Sequence, residues 1–307
     1  MPEIYSIGGG KGGVGKSFIV ASLGALLAKQ GKKVVLVDLD LGASNLHTFF
    51  GVKNPKSGID SFLDKTVKKL EDTAVPTSVP NLSIISSLHC PVEIANLYHA
   101  QKQKIISSLR NLPYEYILLD LGAGTHLNTL DFFLTSENGI IILTPEPTSI
   151  ENSFRFMKAV YLRRLKHIIK QHAFNSAVRH TVVDPNNAAI KSHEIIKTVL
   201  KYDPENEAFL KKKLNQLNFK LIINQFRKNL DPKLGEKIQT ACNRHFYSSF
   251  QFLGNVSYNA GVYDSVLSQK LFVLKYPFTT SSVDLKKIAD KIITKARKSA
   301  ALRSQIS

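Results

Sequence analysis

The chain has 307 residues, 43% of them hydrophobic and 21% charged, proportions that exclude collagen-like, mucin-like and wholly disordered classes. Two cysteines, Cys90 and Cys242, with no Cys-x-x-Cys pair exclude a disulfide framework and a thiolate zinc site, and no stretch approaches the roughly 18 apolar residues of a membrane span. The net charge is +17, and because residues 1–150 balance 13 basic against 13 acidic side chains, the whole excess lies in residues 151–307 and points to an anionic partner, with solubility as the alternative.

Ile4–Gly8 is a short apolar run of strand length, and Ser17–Lys29 has helical periodicity. Between them Gly10-Lys11-Gly12-Gly13-Val14-Gly15-Lys16-Ser17 fits G-x-x-x-x-G-K-[ST] in the strand-to-helix setting that motif requires. Glycines let the backbone wrap a β-phosphate with its N–H groups turned inward, and the positive end of the helix adds to the attraction. Lys16 is placed to reach the β- and γ-phosphates, and the Ser17 hydroxyl to ligate Mg2+.

Val34–Val37 is the next strand-like run, and Asp38-Leu39-Asp40 at its end puts two carboxylates on one face of an extended segment, where an α/β sheet lines its ligand crevice. Leu82–Ile85 follows, then helical spacing over Glu93–Leu109. Tyr116–Leu119 runs into Asp120-Leu121-Gly122-Ala123-Gly124, an aspartate suited to hold magnesium through water and glycines that carry a backbone change cheaply when a γ-phosphate is lost. Ile140–Leu143 precedes Thr144-Pro145-Glu146-Pro147-Thr148-Ser149-Ile150 and a helix over Ser149–Lys170. Residues 171–217 are polar and basic, with Asp184-Pro185 and Asp203-Pro204 as turns or helix starts and Ile195, Ile196, Val199 and Leu200 at helical spacing, so a helical insertion is expected. Phe219–Ile223, ending in Asn224, and helices over Lys233–Phe246 and Ser282–Ala300 complete the pattern. The apolar runs are continuous rather than alternating, which suits strands buried on both faces. The expected fold is therefore α/β, a doubly wound, mostly parallel sheet with helices on both faces, forming a single domain over 1–307 with a short basic tail at 297–307.

Lys11 stands where the generic phosphate loop allows any residue. With Gly12 to Ser17 it resembles the deviant Walker A loop of the MinD/ParA superfamily of P-loop ATPases. The Asp38/Asp40 pair, Asp120–Gly124, Thr144–Ile150 and Leu221–Gln225 are similar to the same family, over about residues 3–165 and 218–295. The resemblance implies that Gly10, Lys11, Gly12, Gly13, Val14, Gly15, Lys16, Ser17 and Phe18 bind ATP or ADP. It further implies that Lys11 crosses a nucleotide-dependent homodimer interface to the phosphates of the other subunit, neutralising charge in trans as an arginine finger does. Asp40 would position the attacking water, Ser17, Asp38 and Asp120 would hold Mg2+, Asn45 would approach the γ-phosphate, and Asn224 would read the adenine edge. Val256-Ser257-Tyr258-Asn259 departs from the family at a loop where many relatives carry a proline beside the base.

Glu93-Ile94-Ala95-Asn96-Leu97, Asp120–Gly124 and Thr144–Ile150 look most like the FlhG/FleN branch of flagellar-number regulators. The chain begins at its first strand, so the N-terminal extension that engages a partner GTPase is not expected. The expected function is an ATP-dependent dimerising switch with slow Mg-dependent hydrolysis, a spatial or number regulator acting through a protein partner. The rival is a ParA-like partition ATPase that binds DNA non-specifically, and an anionic membrane surface is a further candidate partner. A nucleotide-binding scaffold without turnover is set back by Asp40. No cysteine comes shortly after the Asp120 loop, so no iron–sulfur cluster is expected. Ser282–Ala300 is amphipathic and basic, but it falls at the last packing helix of the fold and Arg297–Ser307 carries no Phe or Trp anchor, so core packing is expected over lipid insertion. The expected location is cytoplasmic, with recruitment to a pole, a membrane surface or the nucleoid.

Overall fold

The structure is a computed structural model that describes residues 2–90, 97–172, 201–246 and 248–304, together with Phe174, Ser176, Val178, Lys197 and Val199; side chains are described to residue 294. Glu93–Asn96, Asp184–Asn187, Ile195, Ile196, Leu200 and the side chains of the 297–307 tail lie outside the described residues.

Eight strands form one sheet: β1 Glu3–Gly8, β2 Val34–Leu39, β3 Val75–Pro76, β4 Leu82–Ile85, β5 Tyr116–Leu121, β6 Asn138–Leu143, β7 Asn218–Phe226 and β8 Ser249–Ser257. Their order is β3-β4-β2-β5-β1-β6-β7-β8, parallel throughout except for the short β3, which runs antiparallel to β4. The helices are α1 Lys16–Lys29, α2 Ile59–Leu63, α3 His99–Arg110, α4 Leu127–Phe133, α5 Pro147–Gln171, α6 Glu207–Asn215, α7 Leu234–His245, α8 Gly261–Leu267, α9 Phe272–Lys275 and α10 Thr280–Ser304.

The continuous apolar runs do bury both faces. On β2, Val34 and Leu36 join a cluster built with α1, α9 and α10, whereas Val35, Val37 and Leu39 join one built with α3 to α7. Tyr116 and Leu118 alternate in the same way with Ile117, Leu119 and Leu121 on β5. This alternation is the period-two consequence of strand geometry and is what makes the sheet doubly wound. From the 171–217 stretch, Phe174, Val178, Val199, Leu210 and Leu214 reach into the α3–α7 core, so these positions pack rather than loop outward.

The six continuous runs read from the sequence are all strands. β8 was not among them because it is an edge strand, with Ser249 and Gln251 exposed and Phe250 and Leu253 buried, so it alternates where interior strands do not. An open parallel edge would invite another chain, and side chains cover it. The Asn243 amide donates to the Phe250 carbonyl (3.2 Å) and accepts from its N–H (2.9 Å), and Gln239 Oε1 accepts the Phe252 N–H. Lys291 donates to the Leu253 carbonyl, and Asp284 accepts the Ser257 N–H at 3.0 Å. At the other edge β3 is two residues long and ends in Pro76. The predicted helix over Glu93–Leu109 begins at His99 among the described residues, where Gln101 reaches back to cap the first turn, its Oε1 accepting the Tyr98 N–H at 3.0 Å.

Candidate functional site

β1, β2 and β5 are neighbours in the sheet, and their C-terminal ends deliver the phosphate-loop motif and the two aspartate motifs to one crevice. The pairing register sets Asp38 directly beside Asp120. Such a crevice, outside the carboxyl ends of parallel strands, is where this architecture binds ligands.

Residues 9–15 curl from β1 into α1. Gly10 must be glycine because a Cβ there would lie 2.0 Å from the Asn152 carbonyl oxygen on α5. Gly15 takes a left-handed conformation, φ 89°, and a Cβ would meet the Asn224 amide nitrogen at 2.3 Å. Nothing lies within 4 Å of the Cβ positions of Gly12 and Gly13, so the loop encloses an open cradle. The loop is tied down from behind: Asn224 Nδ2 donates to the Val14 carbonyl at 2.8 Å, Gln225 Nε2 to the Gly13 carbonyl at 3.3 Å, and the Gly124 N–H to the Gly9 carbonyl at 3.1 Å.

Lys16 opens α1 and is only 8% exposed. Burial draws its ammonium below the ordinary lysine range, against the opposing pull of Asp120 and Asp40. Asp120 is 2% exposed; burial, with the charge of Asp38 beside it, pushes its carboxyl well above the usual carboxylate range, while a hydrogen bond from the Ser17 hydroxyl and the Lys16 charge oppose the rise. Its Oδ1 is buried without a hydrogen-bond partner among the described residues. Burial also raises Asp38, to about 6, although it accepts from Ser44 Oγ at 2.7 Å and from the Leu46 and Asp40 N–H groups at 3.1 Å.

A buried acceptor left unpaired beside a second carboxylate is costly unless something positive meets it. Hard oxygen donors of this kind suit Mg2+, with Ser17 and Asp120 nearest the loop and Asp38 behind. Asp40 is less buried and faces the glycines after β5, where a Cβ on Gly122 would come within 3.0 Å of its carboxylate.

Lys11 is half-buried on the rim, its Nζ 2.9 Å from Glu146 Oε2 and 3.4 Å from Thr148 Oγ1 at the start of α5. Asn45 is exposed, its amide donating to the Ala43 carbonyl at 2.8 Å, on the turn whose Ser44 reaches Asp38. Phe18 is buried edge-on against Phe272, at 5.6 Å between centroids, so it packs α1 onto α9 and reaches the site only at the wall of the neighbouring cavity. That cavity, about 360 Å³, adjoins Gly13 and Gly15 and is bounded by Asn224, Tyr258, Val262 and Tyr263. The sequence reading missed Val262 and Tyr263; they lie on the short helix α8, which carries no motif. Cys90 and Cys242 stay outside the site, and burial pushes both thiols up to about 12. Arg163 is not a free surface charge: its guanidinium grips Asp131 at 2.8 and 3.0 Å, and Arg164 is half-buried on the same helix.

The family described as CobQ/CobB/MinD/ParA nucleotide binding domain matches residues 5–272. Septum site-determining protein MinD of Helicobacter pylori is 30% identical over 156 residues, covering 50% of this chain and 58% of that protein. Flagellum site-determining protein YlxH of the same organism is 32% identical over 163 residues, 51% of this chain and 53% of its own. The chain thus spans little more than half the length of the curated relatives it matches. Among solved structures, MinD of Pyrococcus horikoshii complexed with Mg-ADP superposes with a TM-score of 0.66 at 21% identity, covering 96% of this chain and 98% of that one. A putative plasmid partition protein of Borrelia burgdorferi bound to AMPPNP gives 0.61 at 20% identity over 96% and 100%. At such identities these neighbours speak for the fold.

Proposed function

The chain belongs to the CobQ/CobB/MinD/ParA nucleotide-binding family, and from that premise we propose that it is a Mg-dependent ATPase switch that dimerises around two nucleotides and hydrolyses slowly. The observation that carries this reading is the unpaired, buried Asp120 Oδ1 beside the Ser17 hydroxyl, Lys16 and an open glycine cradle. Magnesium, when bound, would neutralise phosphate charge there, held by Ser17, Asp120 and Asp38. Lys16 binds the β- and γ-phosphates, the loop amides from Gly10 to Gly15 wrap them, and Asn224 holds that loop in shape beside the base. Asp40, less buried than its neighbours, orients water. Asn45, on the turn that Ser44 ties to Asp38, lies near the γ-phosphate in this reading.

Lys11 acts on the phosphates of a second copy. In the single chain Glu146 and Thr148 hold it, so dimerisation requires that this exposed pair be given up. An exposed ion pair is worth only about 0–1 kcal/mol, which leaves the exchange within reach of phosphate binding. The test separates two aspartate and lysine variants. Asp40→Ala is expected to bind ATP, dimerise and stall, whereas Lys11→Ala keeps nucleotide and loses both the dimer and turnover. ATP dimers of normal stability from Lys11→Ala, measured by light scattering, would remove the crossed lysine.

The switch acts as a spatial or number regulator of the FlhG/FleN kind, through a protein partner at a pole or membrane surface; similarity to the Helicobacter YlxH and MinD proteins supports that level. A partition role on DNA is the second reading, favoured by the +17 charge gathered in the second half. ATP-dependent DNA binding that weakens steeply with salt separates the two.

A further inference from the structure

A second cavity opens at the end of the sheet opposite the phosphate loop. It holds about 440 Å³, within the range for small-molecule sites, and lies where β1 and β6 begin, between the last residue of α3 and the middle of α5. Hydrogen bonds fix its frame before anything enters. The Ser136 hydroxyl donates to the Ile4 carbonyl and accepts the Asn138 N–H at 2.8 Å, and the Asn218 N–H donates to the Glu137 carbonyl at 2.8 Å.

Four charged side chains line this cavity, Arg110 and Arg164 against Glu3 and Glu137, and none of the four is in an ion pair among the described residues. That is ordinary for Arg110 and Glu137, which are exposed, but not for the half-buried Arg164. Burial works against its charge, and the more distant charge of Glu137 offsets this only in part. Its Nε is shut off from water with no acceptor, so the guanidinium can be recognised only through its terminal nitrogens. A desolvated cation left in this way is costly, and an acceptor brought by a ligand removes that cost. Asn138 adds a donor of fixed direction. Lys220, which can only donate, meets Asn138 Oδ1 at 2.9 Å, and this leaves the Nδ2 hydrogens of the amide without an acceptor.

We infer that this cavity binds a small zwitterion of amino-acid or dipeptide size, with its carboxylate on Arg164 and Asn138 and its ammonium group toward Glu137. The balance of charge in the lining selects that class. A dicarboxylate or polyphosphate would suit the two arginines but be repelled by Glu3 and Glu137, and a polyamine would meet the reverse conflict. A ligand that carries both signs satisfies both pairs. The six residues of β1 separate the cavity from the phosphate loop, so the two sites can fill independently.

The experiment is calorimetric titration of the full chain, free of nucleotide, with glutamine and glycylglycine as zwitterions and with succinate and putrescine as probes of a single sign. One or both zwitterions are expected to bind, and succinate and putrescine to bind about tenfold more weakly or not at all. Arg164→Ala and Glu137→Gln should each weaken the zwitterion about tenfold, while Lys16→Ala leaves its affinity unchanged. Because Glu137 is exposed, Glu137→Gln keeps the test decisive even if Arg164→Ala fails to fold. Succinate binding as tightly as the zwitterions would make this an anion site and overturn the inference. So would Glu137→Gln with the affinity of the parent, loss of zwitterion binding in Lys16→Ala, or a parent chain that gives no heat with either zwitterion at millimolar concentration.

Discussion

Gly15 shows how closely single residues are specified around the phosphate loop. Its left-handed backbone and the Asn224 amide at 2.3 Å from a would-be Cβ are two independent reasons for glycine, one conformational and one steric. Gly15→Ala is therefore expected to destabilise the nucleotide-free chain by about 1–2 kcal/mol from backbone strain alone. It should also lower ATP affinity, because Asn224 must leave the Val14 carbonyl. Denaturant melts and calorimetry on the same preparation check both effects, and unchanged melting would mean that the loop relaxes around the methyl group. The neighbouring aspartates follow a different logic: Asp38 and Asp120 are set against each other by the strand register, and that crowding leaves an unpaired acceptor waiting for a cation.

At the level of elements, a buried charge cluster joins three helices behind the site. Asp131 on α4 meets Lys102 of α3 at 2.5 Å and Arg163 of α5 at 2.8 Å, with His167 Nε2 3.8 Å away. Lys102 and Asp131 are 8% and 7% exposed, so neither charge is solvated on its own. Burial works against the Asp131 charge, yet the hydrogen bonds from Arg163 and Lys102 outweigh it and hold the carboxyl below the usual range. His167 is pushed below its ordinary value by burial and by Arg163, which leaves it neutral near pH 7. Asp131→Ala would strand the Lys102 ammonium and is expected to cost about 3–5 kcal/mol. The folded carboxyl has the lower pKa, so its stabilisation is present above the ordinary aspartate value near 3.9 and is lost as pH falls through the folded value. Chemical denaturation of parent and variant from pH 7 down toward pH 2 should show the difference between them shrinking at the acid end. A constant difference across that range would mean that Asp131 does not act through its charge. Because α4 follows the Gly122–Gly124 loop, the same cluster fixes the helix into which that loop leads.

The whole molecule is divided by charge: the balanced first half supplies the phosphate motifs, and the second half holds the +17. Side-by-side copies would present two basic surfaces at once and raise the affinity for an anionic polymer or lipid surface without any new contact. ATP-bound protein is therefore expected to bind DNA or acidic liposomes more tightly than the ADP form, with strong weakening by salt. Arg163 and Arg164 are poor places to test this, since reversing Arg163 would break the Asp131 cluster. Lys286 and Lys287 on α10 are exposed, and the double reversal to glutamate should weaken binding while ATP affinity stays unchanged. Absence of binding to both surfaces at low salt in either nucleotide state would assign the charge to an acidic protein partner or to solubility. Among the described residues no helix is long and apolar enough to cross a membrane.

The amino-acid sequence by itself determined what is local. The loop Gly10–Ser17 lies between a strand and a helix, and six apolar runs were legible as two-sided strands because backbone hydrogen bonding and side-chain alternation act over a few residues. Asp38, Asp40 and Asp120 could be placed at strand ends for the same reason. Pairing across the sheet was not legible. Only the tertiary structure decided that β2 and β5 are neighbours in the register that sets Asp38 beside Asp120, that Asn224 reaches back over 210 residues of chain to hold Val14, and that Lys11 rests on Glu146. Edge strand β8 was hidden because one of its faces is left partly open at the sheet's margin, so its apolar residues alternate with polar ones, a property of its place in the sheet. The same holds for Arg163, which reads as a surface charge on an amphipathic helix until packing brings Asp131 beneath it, since burial of a charge depends on which helix lies opposite and not on its sequence neighbours.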